Sequence, residues 1–370
     1  MKLIVISGTR ADYGIYRPLL FELHRDPVIH LQLVVTGMHL LKEYGQTIDD
    51  VEQDPFEVIA QPSILVKGDS TYAMSQSVGI ATLYFSDILH FHQPDAILLL
   101  GDRGEMLAAA IAAHYQNIAI VHLHGGEKSG SADDAVRHAI SKLAHLHFVS
   151  TFQAKKALQH LGEEEWRIFP VGSLRKHDIE QIKLLDDMKK AQLMKKYRLS
   201  SKQKNVLVMM HPDTKEQKPY SQQIEVVLKA LERYSEINLI FIGPNSDAGG
   251  DIFREYMQSY CKQSKWCSYH ASIPSDEYLF LLSQVDLLIG NSSSGIIEAP
   301  FFHLPFINVG NRQQDRTHGD NVYHVPYRAN KIKAKIQEVL QSPTKIIKHN
   351  PYDIVKAPAH EIVKQLKISL

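Results

Sequence analysis

The chain has few cysteines, no net charge and no long apolar run, and each shortage argues against a class of protein. Among its 370 residues are two cysteines, Cys261 and Cys267, without a metal-type spacing, so we expect reduced thiols in a cytosolic protein. The 41 Lys plus Arg residues balance 41 Asp plus Glu residues, which argues against a nucleic-acid or anionic-membrane surface. No apolar run is long enough to span a bilayer, and the opening MKLIVISG is typical of a core strand rather than a signal peptide.

What is present fits two α/β domains. Short apolar runs end in polar turns that lead into helical patterns, and this pattern restarts at Asn205 after a polar hinge. We therefore predict a first doubly wound domain over residues 1–172 and a second over 173–354. A final helix over 355–370 is expected to pack back on the first domain.

The stretch from Asp286 to Glu298 has the strongest local pattern. An apolar strand breaks at Gly290, passes through three serines and restarts as a helix. Such a turn can bind a phosphate through backbone N–H groups and the hydroxyls of Ser292 and Ser293, and Glu298 could accept hydrogen bonds from a ribose diol. An ordinary strand-to-helix turn with serine caps explains the pattern equally well.

Polar residues follow several strands of the first half in the same way. Arg10 follows the first strand and suits a diphosphate, although a surface arginine is as good an interpretation. Asp102 follows the strand ending at Leu100 and is either a helix cap or a site residue. His122 and His124 lie two apart, which puts them on one face of a strand, but no third ligand is evident and we predict no metal site.

The whole set of motifs resembles one family. GTRADYG, TGMHL, GDR, HGGE, DDAVRHAISKLAH, HPDT, PNSDAG, GNSSSGIIE and GNRQ are similar, in the same order, to motifs of the hydrolysing UDP-N-acetylglucosamine 2-epimerases of sialic-acid synthesis. The resemblance covers nearly the whole chain. It implies a GT-B-like fold of two Rossmann-type domains with a UDP-sugar in the cleft, no cofactor, and a homodimer or dimer of dimers.

The resemblance also implies residue roles. UDP would be eliminated across C1–C2 of the sugar and water added to the resulting glycal, which requires acid–base groups and donors for the leaving diphosphate. The implied catalytic residues are Asp102, His124, Glu127, Asp133 and His211. The implied substrate-binding residues are Arg10, Asp12, Arg103, Arg137, His138, Asn245, Asp247, His270, Ser292, Ser293, Glu298 and Arg312.

One position departs from the family pattern. Members that act on the N-acetylglucosamine nucleotide typically have H-x-E-G-G-E, whereas this chain has His124 at the middle acid and retains Glu127. A histidine still exchanges protons near neutral pH but alters the charge and shape of the sugar pocket. We expect UDP-N-acetylglucosamine as substrate, with UDP-N,N'-diacetylbacillosamine, of the legionaminic-acid route, as the alternative that His124 raises.

Three other classes remain as alternatives. The non-hydrolysing epimerases usually carry GTRPE and VEAG patterns, which this chain lacks. A glycosyltransferase would need an acceptor, and a nucleotide-sugar-binding regulator would bind without turnover. Fold analogy alone does not separate these classes; the acidic residues at the strand ends favour the epimerase.

Overall fold

In the computed structural model of the chain, the residues described are 1–42, 45–68, 70–128, 133–214, 216–232, 237–244, 249–341 and 347–370. They divide into unit 1, formed by Met1–Arg175 with Tyr352–Leu370, and unit 2, formed by Lys176–Pro351.

The described part of unit 1 is a parallel seven-stranded sheet with helices on its two faces. In chain order its first elements are β1 (Lys2–Ser7), α1 (Arg10–Arg25), β2 (His30–Val35), α2 (Ile48–Glu52), β3 (Glu57–Ala60), α3 (Thr71–His92), β4 (Ala96–Leu100), α4 (Gly104–Tyr115), β5 (Ala119–Leu123), α5 (Asp133–Leu143), β6 (Leu146–Val149), α6 (Phe152–His160) and β7 (Ile168–Pro170). The strand order is β3-β2-β1-β4-β5-β6-β7.

Both faces of this sheet are buried, which explains the continuous apolar runs. Within β1, Leu3 and Val5 pack into one core while Ile4 and Ile6 pack into the core on the opposite face. Successive strand residues point to opposite faces, so a strand covered on both sides needs apolar residues at every position.

Unit 2 repeats the plan. Its elements are α7 (Lys176–Lys183), α8 (Asp187–Lys196), β8 (Lys204–Met209), α9 (Tyr220–Leu231), β9 (Ile237–Ile242), α10 (Gly250–Lys262), β10 (Cys267–His270), α11 (Ser275–Gln284), β11 (Leu287–Gly290), α12 (Ser294–Ile297), β12 (Phe306–Val309), β13 (Val322–Val325) and α13 (Ala329–Gln341). The described strands form a parallel sheet in the order β10-β9-β8-β11-β12-β13. The last helix, α14 (Pro358–Ser369), belongs to unit 1 and packs on α1.

The two sheets share a topological feature that positions the polar turns. In each, the chain first builds strands outward on one side and then crosses back to build on the other, so the order reverses between β1 and β4 and between β8 and β11. Parallel sheets bind ligands at the carboxyl ends of the strands beside such a switch point. The predicted class, two parallel α/β domains, is confirmed.

The sequence interpretation was wrong at several elements. The edge strands β3 and β13 were not predicted, because their side chains are largely half-exposed or exposed and give a weak apolar signal. The charged stretch over residues 176–196 forms two helices, α7 and α8, because Asp186 caps α8 by accepting a hydrogen bond from the Lys189 N–H. α12 has only four residues and begins at the third serine, Ser294. It ends early because Pro300 lacks the N–H that a continuing helix would need.

The two cysteines are bonded to each other rather than free. Cys261, in α10, and Cys267, in β10, form a disulfide, so the prediction of reduced thiols was wrong. The turn between the two elements brings their Cα atoms to 4.9 Å, within the bridging range. Within the described ranges, no helix is both long enough and apolar enough to cross a bilayer.

The packing of α14 gives a first testable prediction. Leu366 is fully buried in the core that contains α1, whereas Ile368 on the same helix is 69% exposed. Replacing Leu366 by alanine should lower the free energy of unfolding of unit 1 by about 2–5 kcal/mol, because it leaves a cavity. Ile368→Ala should change it by less than about 0.5 kcal/mol. Urea denaturation measures both variants, and equal losses would contradict the packing of α14.

Candidate active site

At the switch point of unit 1, polar side chains converge on the turn after β1. The Asp12 carboxylate accepts a hydrogen bond from the Gly8 N–H at 3.3 Å, and Glu105 accepts one from the Arg103 side chain at 2.6 Å. Burial raises the pKa of Asp12 to about 6, although the Arg103 guanidinium opposes the shift and Glu105 adds to it. The predicted substrate-binding residues Asp12 and Arg103 are therefore neighbours, whereas Arg10 is exposed at the start of α1.

One guanidinium joins three elements beside this cluster. Arg137 of α5 forms an ion pair with Asp102, which follows β4, and donates a hydrogen bond to the His124 carbonyl, which follows β5, at 3.0 Å. The Arg137 side chain is only 5% exposed. This buried charge brings together the predicted residues Asp102, His124 and Arg137.

His124 and Glu127 are also neighbours. Glu127 Oε1 lies 3.6 Å from His124 Nδ1 and accepts a hydrogen bond from the Ser150 hydroxyl at 2.5 Å. A carboxylate beside an imidazole can exchange a proton with it, so the pair has the composition of an acid–base site. β5 ends at Leu123 and His124 has a left-handed backbone with φ of +61°, so the alternation rule that placed His122 and His124 on one face was wrong.

The remaining predicted residues of unit 1 lie on α5. Asp133 is its first described residue and is exposed, whereas His138 is half-buried. Asp133 and Arg137 are one helical turn apart, which places Asp133 on the face of α5 that carries the Asp102 partner.

In unit 2, Asn291 joins the carboxyl ends of three adjacent strands, through its side chain and through its backbone carbonyl. Its Oδ1 accepts from the His211 N–H and its Nδ2 donates to the His211 carbonyl, both at 2.8 Å, which ties β11 to the turn after β8. The Asn291 carbonyl accepts from Arg312 at 3.0 Å and from Gln313 at 3.2 Å, both after β12. The predicted residues His211 and Arg312 are thus held around one fully buried amide.

The turn that carries Asn291 needs its glycine. A Cβ on Gly290, whose φ is +156°, would lie 1.8 Å from the Met209 carbonyl oxygen of β8. Any side chain here would push β11 away from β8. Ser292, Ser293 and Glu298 follow on the same turn, with Ser292 buried and the other two half-buried.

Three predicted residues are not part of this group. His270 ends the edge strand β10, with β9 and β8 between it and β11, and its ring packs edge-on against Tyr197 at 5.0 Å between centroids. Burial lowers its pKa, and the nearby Arg198 and Lys196 lower it further. Asn245 and Asp247 lie outside the described residues.

Sequence reasoning missed Glu105, Ser150 and Asn291. Glu105 and Ser150 contact site residues only after distant strands align, so no local pattern marks them. Asn291 lies inside the serine-rich turn. Its polar amide, directly after the strand glycine, could have marked it in the sequence as a site residue. The structure assigns these three to holding predicted residues in place.

The fold and the two polar edges define a class: a GT-B-like protein with two Rossmann-type units. The chain matches the UDP-N-acetylglucosamine 2-epimerase family over residues 21–367 and belongs to it, which confirms the family resemblance.

Individual relatives agree with this assignment. The chain is 39% identical to the Legionella pneumophila UDP-N,N'-diacetylbacillosamine 2-epimerase (hydrolyzing), over 92% of this chain and 89% of that protein. It is 33% identical to a Neisseria meningitidis UDP-N-acetylglucosamine 2-epimerase, over 91% and 87% of the two chains. A crystal structure of UDP-GlcNAc 2-epimerase from Neisseria meningitidis bound to UDP-GlcNAc has the same fold, with a TM-score of 0.84 over 100% of both chains at 18% identity.

The Asn291 amide gives a second prediction. Asn291→Ala leaves the buried N–H and carbonyl of His211 without their partner, so the free energy of unfolding of unit 2 should fall by about 2–4 kcal/mol. Asn311→Ala, at an exposed asparagine on the loop after β12, is the matched control and should cost less than about 0.5 kcal/mol. Thermal and urea denaturation compare the two, and an Asn291→Ala variant as stable as the control would show that the amide does not hold the site together.

Proposed function

We propose that this protein is a hydrolysing UDP-sugar 2-epimerase, which converts a UDP-2-acetamido sugar and water into the free 2-epimeric sugar and UDP in nonulosonate synthesis. The observation that carries the proposal is the pair of polar edges. One contains carboxylates and an imidazole around Arg137, and the other contains donors around Asn291. Family membership supports this reaction class.

The reaction needs acid–base groups and hydrogen-bond donors, and each polar edge contains one of these two kinds of group. A base removes the C2 proton as the bond from C1 to the UDP oxygen breaks, which leaves a C1–C2 double bond. A water oxygen then adds to C1. A proton is delivered to C2 on the face opposite the one from which the first proton was removed. Both steps need acid–base groups beside the sugar, and the first needs donors for the charge that the leaving diphosphate gains.

We assign the sugar chemistry to unit 1. Asp102, Asp133 and the His124–Glu127 pair are the proposed proton-transfer groups, and Asp12, Arg103, Arg137 and His138 are proposed to bind or shape the sugar pocket. The proximity of His124 and Glu127, at 3.6 Å, supports a shared proton.

We assign the nucleotide to unit 2, and Arg10 of unit 1 is also proposed as a substrate-binding residue. The proposed residues of unit 2 are His211, Asn245, Asp247, His270, Ser292, Ser293, Glu298 and Arg312. His211 is also proposed as a catalytic group. Arg312 is ordered by its bond to Asn291, and a guanidinium suits the two negative charges of a diphosphate.

We propose UDP-N,N'-diacetylbacillosamine as the first candidate sugar and UDP-N-acetylglucosamine as the second. Two relatives named for the first sugar are 39% and 38% identical, and one named for the second is 33% identical. His124 stands where members that act on UDP-N-acetylglucosamine typically have glutamate, and it changes the charge and shape of the proposed sugar pocket.

We further propose a homodimer or dimer of dimers in the cytoplasm. Support for self-association comes from α3, whose Leu83 and Phe91 are 71% and 81% exposed. The disulfide between Cys261 and Cys267 argues against a reducing compartment, so the cytoplasmic location rests on the proposed nucleotide-sugar chemistry. Light scattering of the purified protein gives the assembly size, and thiol titration of protein taken directly from cells gives the redox state.

A product assay tests the proposed reaction. The protein is incubated separately with each of the two nucleotide sugars, and released UDP and free sugar are measured by chromatography. We expect equal amounts of UDP and 2-epimeric free sugar without any acceptor, with faster turnover of the diacetylbacillosamine nucleotide. Intact nucleotide sugars in both tubes would contradict the proposal, and turnover that needs an added acceptor would indicate a glycosyltransferase.

The role of His124 in sugar choice is tested by His124→Glu. Restoring the typical acid should shift the ratio of kcat/KM values toward UDP-N-acetylglucosamine by about tenfold or more, because pocket contacts discriminate on that scale. His160→Glu, at an exposed histidine that ends α6, makes the same chemical change outside the site and should leave the ratio unchanged. An unchanged ratio in His124→Glu would remove His124 from the account of specificity.

A further inference from the structure

His122, the first residue of the HLHGGE motif, has no assigned role, yet its ring is fully buried at the end of β5. Its Nε2 lies 2.8 Å from the Gly101 carbonyl oxygen, and its Nδ1 lies 3.1 Å from the Ser141 hydroxyl. Gly101 directly precedes Asp102, and Ser141 is on α5. The imidazole therefore links the Asp102 turn to α5 from inside the protein.

The chemistry of the partners fixes the state of the ring. A carbonyl oxygen can only accept, so Nε2 carries the proton and donates to Gly101. Burial lowers the pKa of His122 to about 3, so the ring is neutral near pH 7 and Nδ1 is an acceptor. Ser141 therefore donates its hydroxyl proton to Nδ1, and the two bonds together specify one tautomer and one ring orientation.

The same face of α5 carries three residues that face the site. Asp133, Arg137 and Ser141 follow one another at intervals of one helical turn. Arg137 binds Asp102 itself and Ser141 binds His122, which binds the carbonyl before Asp102. Asp102 is thus attached to α5 by its side chain and, through His122, by its backbone.

A glycine of the motif admits this arrangement. A Cβ on Gly125 would lie 2.9 Å from the Ser141 hydroxyl oxygen and 3.0 Å from His122 Nδ1. A larger residue at this position would press between the two partners. His122 and Gly125 of HLHGGE are therefore both needed for the contact between His122 and Ser141.

We propose that His122 is a positioning residue, which holds Asp102 in register with Asp133 on α5 by donating to the Gly101 carbonyl and accepting from Ser141. This inference rests on the proposed function, because it assigns the geometry of the two acids to the epimerase reaction. The donation to Gly101 is the essential contact, since it acts directly on the peptide that carries Asp102.

Two amide substitutions separate that donation from mere filling of space. A glutamine amide nitrogen reaches the place of Nε2, so His122→Gln retains the donor to Gly101. An asparagine amide reaches only the place of Nδ1, so His122→Asn keeps the contact to Ser141 and loses the donor. His160→Asn, at an exposed histidine that ends α6, is the control.

We expect His122→Gln to keep kcat within about threefold of the wild type, while His122→Asn lowers kcat by about 10–100-fold, the scale on which small displacements of catalytic groups act. KM and the affinity for UDP should change by less than about threefold in both, because the donation acts on acid geometry rather than binding. Equal kcat values for the two variants, or a loss carried by KM alone, would overturn the proposal.

Hydrogen exchange gives a readout that does not need turnover. Backbone amides over residues 101–107 should exchange faster in His122→Asn than in His122→Gln, with α3 amides unchanged as the internal reference. Ser141→Ala, which removes one small group and keeps the fold, should speed the same amides to a smaller extent. Absence of turnover in the wild type would contradict the proposed function alone, whereas equal exchange in all variants would contradict the positioning role alone.

Discussion

The ion pair between Arg137 and Asp102 is the interaction on which unit 1 depends at its functional edge. The guanidinium is almost fully buried, and a buried charge is costly unless its partner and its hydrogen bonds are retained. Asp102 therefore has a structural task besides its proposed part in proton transfer. The loops after β4 and β5 and the start of α5 are fixed relative to one another because all three meet this one cation.

In unit 2 a neutral residue, Asn291, links the loops at the functional edge, as Arg137 does in unit 1. The sheet of unit 2 reverses order between β8 and β11, as the sheet of unit 1 does between β1 and β4, and in each unit the strand ends beside the reversal carry the candidate residues. Asn291 joins three strand ends through four hydrogen bonds without adding a formal charge. A guanidinium such as that of Arg312 suits the proposed diphosphate, whereas the proposed acid–base chemistry of unit 1 needs carboxylates.

The parts of this structure that sequence reasoning predicted are those with a local cause. Residues 3–6 of β1 and all five residues of β4 are apolar because both faces of the sheet are buried. β3 was missed because its half-exposed edge position leaves little apolar signal. The partners of His122 could not be predicted, since Gly101 and Ser141 meet it only after β4, β5 and α5 have packed. The same holds for Arg137, which the sequence places one turn from Asp133 and the structure binds to Asp102.

The proposed elimination reaction depends on proton exchange at C2 of the sugar. A proton NMR time course in deuterated water, with UDP-N,N'-diacetylbacillosamine and UDP-N-acetylglucosamine in separate tubes, observes that exchange directly. The account predicts free 2-epimeric sugar that carries deuterium at C2, formed in step with free UDP. Free sugar that retains its original proton at C2 would contradict the elimination and protonation from solvent assigned to this site.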